Sequence, residues 1–145
     1  PYRSGTPPLP LIAGLTKALE LSIPNVDKNY DYIEKLSDRV KEKLSTYKNV
    51  HINSTNNSIP HTINFSLKNI KPETFIHALE EKEIYISTKS ACSKSDSISK
   101  SVFALTNDYE LSNTTLRISI SCMTTESEID YFLSTFDECI NKLNL

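Results

Sequence analysis

The chain has 145 residues, 16 Lys and Arg against 18 Asp and Glu, three Cys, two Gly and no Trp. That length suits one domain with a real hydrophobic core, and the net charge of −2 offers no general attraction to nucleic acid or to an anionic membrane. With Gly5 and Gly14 as the only glycines, neither a GxGxxG dinucleotide loop nor a Walker A loop can be built. The scattered Cys and His residues form neither CxxC nor HExxH, so no metal site is expected. No apolar run approaches a bilayer span, no signal-peptide pattern opens the sequence, and three cysteines make no disulfide framework. The expectation is a cytoplasmic, reducing setting.

The first residue is Pro1 rather than Met, which suggests a piece of a longer polypeptide. Arg3-Ser4-Gly5-Thr6-Pro7-Pro8 reads as a loop entering a helix. Leu11, Ile12, Leu15 and Leu19 then recur at helical spacing to about Leu21, where Pro24 ends the run. A second helix is predicted over about Val26 to Tyr47, with Tyr30, Ile33, Val40, Leu44 and Tyr47 along one stripe and a solvated face rich in Lys, Glu and Asp. Val50–Asn53 and Thr62–Leu67 alternate with a period near two, and the polar stretch Ser54–Ser58 separates them. A helix over Pro72–Glu81 turns Phe75, Ile76 and Leu79 inward, and Glu83–Ser87 reads as a strand. Residues 93–101, rich in Ser and Lys, read as a mobile loop, followed by a strand over Thr115–Ile120. Thr125-Glu126-Ser127-Glu128 is a capping-box signature for a last helix that buries Ile129, Phe132, Leu133, Phe136 and Ile140. Helices first, then strands alternating with helices, imply an α+β fold: a small, mainly antiparallel sheet covered by helices on one face.

The residue types that could carry chemistry are few. Cys92 follows the expected strand Glu83–Ser87, flanked by Lys89 and Lys94. A neighbouring ammonium favours the thiolate, which is the nucleophile, and the small residues Ser90, Ala91 and Ser93 leave the sulfur approachable. The competing reading is an exposed bystander thiol. Cys139, beside Phe136 and Ile140, reads as core packing, and Cys122 also reads as structural. Arg117 lies between Leu116 and Ile118. It either points to solvent, the ordinary outcome, or serves a buried anion, for which a guanidinium suits bidentate carboxylate binding. Arg3-Ser4-Gly5-Thr6 holds the parts of an anion or phosphate site before a helix N-terminus, although a plain loop accounts for four residues better. His61, after Pro60, reads as structural.

These segments together resemble the C-terminal part of the cysteine desulfurases of the NifS/IscS type, in the class V aminotransferase family. The resemblance is carried by Arg3-Ser4-Gly5-Thr6-Pro7, Ile59-Pro60-His61-Thr62-Ile63-Asn64-Phe65-Ser66, Ile86-Ser87-Thr88-Lys89-Ser90-Ala91-Cys92-Ser93, Leu116-Arg117-Ile118-Ser119 and Thr124–Asp130, and spans essentially the whole chain. It implies the small domain of a fold-type I enzyme that depends on pyridoxal 5′-phosphate (PLP), with residues 1–23 as the end of the large domain and its connecting helix, and 24–145 as the C-terminal domain with the cysteine loop. In such an enzyme L-cysteine becomes L-alanine. Cys92 would be the nucleophile that carries the sulfur as a persulfide to an acceptor protein, and Arg117 would hold the substrate α-carboxylate. Thr6 would bind the cofactor phosphate across the interface of a homodimer.

The match has gaps. Lys89 stands where the family usually has Gly, and Ile98-Ser99-Lys100 replaces the usual Glu-Pro-Ser. The Ser-x-His-Lys segment that supplies the family's cofactor lysine does not occur in these residues, so the chain by itself is expected to be inactive. The alternatives are a selenocysteine lyase or another class V enzyme, and a cofactor-independent persulfide carrier or docking module built on Cys92.

Overall fold

The computed structural model describes residues 5–88 and 98–143. Helix α1 (Leu9–Ser22) passes through a 3-10 turn (Ile23–Asn25) into α2 (Val26–Leu44), with Pro24 at the junction. α2 buries Ile33, Leu36, Ser37, Val40 and Leu44, a stripe at helical spacing, while Tyr30 at its first turns is exposed. The helix stops at Leu44, short of the expected Tyr47, because Ser45 and Thr46 turn the chain toward the first strand.

Strands β1 (Val50–Ile52), β2 (Thr62–Leu67) and β3 (Thr115–Ser119) form an antiparallel sheet in the order β1-β2-β3. Ile63 lies opposite Ile118 and Phe65 opposite Leu116, so one face is continuous apolar surface. That face joins a single core with side chains from α2, α3 (Pro72–Glu80) and α6 (Glu126–Lys142). Phe136 of α6 is its hub, with ring centroids 5.0 Å from Phe75, 5.3 Å from Tyr47, 5.8 Å from Phe132 and 6.0 Å from Phe65. The expected capping box opens α6: Glu128 N–H donates to Thr125 Oγ1 at 3.2 Å, and Thr125 N–H donates to Glu128 Oε2 at 2.7 Å.

Two expectations need correction. Glu83–Ser87 is not a strand. After α3 the chain makes a tight turn in which Ile84 N–H donates to Leu79 O and Glu83 takes a left-handed φ of 58°, and only Ser87 reaches the sheet, as an isolated bridge to Arg117. The loop expected over 93–101 ends sooner, because Lys100 and Ser101 already belong to α4 (Lys100–Thr106); residues 93–97 lie outside the described residues. α4 is followed by α5 (Tyr109–Asn113). Ser99 Oγ accepts from Val102 N–H and Asp108 Oδ1 from Leu111 N–H, while Asn107 ends α4 in the left-handed conformation. These start and stop signals stand in the sequence but act on helices too short to show a period.

Candidate functional site

Because strand side chains alternate, the residues between the core positions of β2 and β3 point to the opposite face. There Thr62, Asn64 and Ser66 meet Thr115, Arg117 and Ser119. Arg117 N–H donates to Ser87 O at 2.7 Å and Ser87 N–H donates to Arg117 O at 3.0 Å, so the backbone of Arg117 bonds outward, toward the segment that leads to Cys92. Asn64 bonds the other way: Asn53 and Ser54 N–H both donate to its carbonyl, at 2.9 and 3.1 Å, and its own N–H donates to Ser54 Oγ at 2.8 Å. Asn64 and Arg117 are therefore a directly opposed pair with no backbone bond between them, the arrangement that brings antiparallel side chains closest. Asn53, Asn64, Arg117 and Ser87 form one polar rung across the sheet.

The rung is held by a side-chain network. Ser66 Oγ donates to Leu111 O of α5 at 2.7 Å and accepts from Asn53 Nδ2 at 2.8 Å. The second hydrogen of Asn53 Nδ2 goes to Asn64 Oδ1 at 2.8 Å, which also accepts from Thr115 Oγ1 at 2.8 Å. Ser66, Thr115 and Asn53 are buried, and Asn64 is half-buried. Arg117 is half-buried as well. Its Nε is fully enclosed and finds no hydrogen-bond partner among the described residues; Asn53 Oδ1 is in the same position at the far end of the rung. A buried guanidinium N–H without an acceptor is costly unless something supplies one. On residue type alone Arg117 would have faced solvent, and the structure instead recesses it on the polar face.

The other sequence-derived candidates lie elsewhere. Cys92 and Lys89 are outside the described residues. Thr6 is exposed, on the approach to α1, a helix that buries none of its residues. The neighbouring Gly5 has a left-handed φ of 125°, which would strain any other residue. His61 lines an apolar groove of about 260 Å³ with Val26, Tyr30, Ile33 and Cys122, and its ring lies 6.2 Å from that of Tyr30. Its backbone carbonyl accepts from Ile120 N–H at 2.9 Å, in keeping with a structural residue. Cys122 is exposed at this groove rather than packed, whereas Cys139 is buried as expected, and burial pushes its thiol pKa up. Among the described residues no three His, Cys, Asp or Glu gather as a metal site, and no helix is long and apolar enough to cross a membrane. Asn53 and Asn64 do not stand out in the sequence. Their signal is the polar alternation Thr62, Asn64, Ser66, which marks a face without saying what the face does.

A three-stranded antiparallel sheet packed with helices is the layout of the C-terminal part of NifS-like structures. Here α2, α3 and α6 lie on its apolar face and the short α5 against its polar face, rather than helices on one face alone. The chain belongs to the aminotransferase class-V family, whose profile matches residues 1–132. It is 32% identical over 143 residues to the cysteine desulfurase IscS of Buchnera aphidicola, covering 97% of this chain and 35% of that protein. A NifS/IcsS protein homolog of Lactobacillus delbrueckii is 34% identical over 140 residues, covering 94% of this chain and 36% of that protein. Among solved structures, the NifS-like protein from Rickettsia africae superposes with a TM-score of 0.78 at 28% identity, over 96% of this chain and 36% of that one. The chain thus spans about a third of the length of the relatives it matches.

Proposed function

We propose that this chain is the C-terminal part of a PLP-dependent cysteine desulfurase, with residues 1–23 joining it to the remainder and 24–145 forming the small domain. The observation that carries this reading is the backbone bridge between Ser87 and Arg117. It fixes the start of the Cys92 segment to the residue best suited to hold an amino-acid carboxylate. The enclosed, unpartnered Nε of Arg117 supports that assignment, since a carboxylate supplies the missing acceptor. The contrast between α1, which buries nothing, and α2, which buries five residues, supports the division near residue 23.

The family is PLP-dependent. Toward that cofactor the chain offers the exposed Thr6 hydroxyl for its phosphate, while its sequence holds no Ser-x-His-Lys segment to supply the lysine that would bond the ring, so these residues do not make a PLP site on their own. What the chain contributes is positioning and sulfur transfer. Arg117 holds the carboxylate of L-cysteine, and the Cys92 thiolate attacks the substrate sulfur. The carbon–sulfur bond breaks with its electron pair left on carbon, for which bound PLP would supply the electron sink. A proton takes the place of sulfur there, a sulfur–sulfur bond forms on Cys92, and L-alanine leaves. The atoms balance, because cysteine less one sulfur is alanine. The persulfide then passes to the thiol of an acceptor protein. The complete enzyme is a homodimer in this reading, with Thr6 reaching the partner's cofactor.

The test is alanine formation from L-cysteine, with PLP, by the enzyme that carries this segment. Cys92→Ser should abolish both alanine and a protein-bound persulfide, and Arg117→Ala should raise KM for L-cysteine by about tenfold or more. A Cys92→Ser variant as active as wild type would overturn the assignment. The 145-residue chain alone should form no alanine, and Cys92-dependent alanine from it would show that it holds the cofactor after all.

A further inference from the structure

We propose that Asn64 is a second carboxylate-binding residue, its side-chain Nδ2 donating to the substrate carboxylate that Arg117 holds; this rests on the desulfurase reading above. The orientation of its amide follows from a chain of hydrogen bonds with one consistent polarity. Leu111 O can only accept, so the Ser66 hydroxyl spends its proton there and must accept from Asn53. The group Asn53 presents is therefore its NH₂, whose second hydrogen needs an acceptor on Asn64. Asn64 answers with Oδ1, and the Thr115 hydroxyl donates to that same oxygen. With Oδ1 accepting twice, a flipped Asn64 would set NH₂ against NH₂. Its own Nδ2 is left with two hydrogens and no acceptor among the described residues.

Those hydrogens belong to the cross-strand neighbour of Arg117 on the same face, in the close, non-hydrogen-bonded register. The guanidinium of Arg117, including its enclosed Nε, and the Asn64 amide thus form a half-buried, all-donor pair beside a buried network. A carboxylate has two oxygens and accepts from both without donating, so it satisfies this pair where a neutral carbonyl or hydroxyl would leave a donor unmet. The buried rung behind Asn64 keeps the amide in place before the ligand arrives, which lowers the entropy lost on binding.

The experiment is steady-state kinetics of the enzyme that carries this segment, with L-cysteine and with L-cysteine methyl ester, whose carboxylate is blocked. Asn64→Ala removes the donor. Asn64→Ser removes the amide donor too but keeps an oxygen that can accept from Asn53 or Thr115 without adding charge beside Arg117, so it keeps the test open should the alanine variant not fold. Both variants should raise KM for L-cysteine by about tenfold to a hundredfold, with a much smaller change in kcat and in KM for the ester. If Asn64 is only structural, thermal stability falls and L-cysteine keeps no larger penalty than the ester; that overturns the proposal while Arg117→Ala still raises KM. If wild type forms no alanine from L-cysteine, the desulfurase reading and this proposal fall together.

Discussion

Phe136 touches four other aromatic rings and is fully buried, so the core depends on one side chain more than on any surface pair. Phe136→Ala should cost about 3–5 kcal/mol in denaturant unfolding, through lost transfer energy and the cavity left among rings that cannot close in. A loss under about 1 kcal/mol would mean that the aromatic cluster repacks. The thiols differ in the same way. Cys122 is exposed and Cys139 is buried with its pKa raised, chiefly by desolvation. Iodoacetamide near pH 8 should label Cys122 readily and reach Cys139 only on unfolding, as peptide mapping would show. Equal labelling of the two would indicate that α6 opens in the native state.

α1 is the element with least tertiary support: fourteen residues, none buried, with Leu9, Leu11, Leu15 and Leu21 each at least 60% exposed. A helix of that length is marginal in water when nothing packs against it. Its amides should therefore exchange with deuterium about 100-fold faster than those in the middle of α2 and α6. Comparable protection would reveal a partner for its apolar surface. α1 also shows how legibility depends on length. Its Leu and Ile spacing makes it readable without any packing, as do the stripes of α2 and α6 and the alternation of β2. α4 and α5 are not legible, since seven and five residues hold barely two turns and the Ser99 and Asp108 caps have no long run to announce. The apolar–polar pattern of Glu83–Ser87 looks like a strand, but pairing is a tertiary fact and only Ser87 finds a partner. At the site, Arg117 can be picked as the odd residue in its strand. Its recess on the polar face, and the part played by Asn53 and Asn64, depend on cross-strand register, which no local pattern contains.

For the molecule as a whole, the bonded carboxylates of α6 set its response to acid. Asp137 accepts from the Tyr47 hydroxyl and pairs with Lys43 at 2.9 Å; the Tyr47 bond first and Lys43 second hold its carboxyl below the usual range. Glu128 is lowered by the Thr125 backbone N–H and then by the Thr125 hydroxyl. A carboxylate with a depressed folded pKa contributes stability above its unfolded pKa, near 4, and loses it as pH falls through the folded value. The fold should therefore weaken progressively below about pH 4. Asp137→Asn should destabilise by under about 1 kcal/mol at pH 7, since the pair is substantially solvent-exposed, and the gap to wild type should shrink toward pH 2. Thermal melts across that range would show it, and a gap that widens in acid would refute the assignment.

The two anchors of the Cys92 segment impose a limit that needs no knowledge of its path. Ser87 is bonded to Arg117, and Ser99 N–H donates to Ser112 O at 2.8 Å. Cys92 is five residues past the first anchor and seven before the second. An extended chain gains at most about 3.4 Å per residue, so the Cα of Cys92 stays within about 17 Å of Ser87 and about 24 Å of Ser99. Those radii bound where its thiol can be met, whatever path the chain takes. If Cys92 carries sulfur as proposed, a protein that collects it must bring its own thiol within those radii, against the edge of the sheet that holds Arg117. Under that proposal the choice of acceptor is decided by which surfaces fit there, and inserting residues between Ser87 and Ser99 would widen that choice without altering the chemistry.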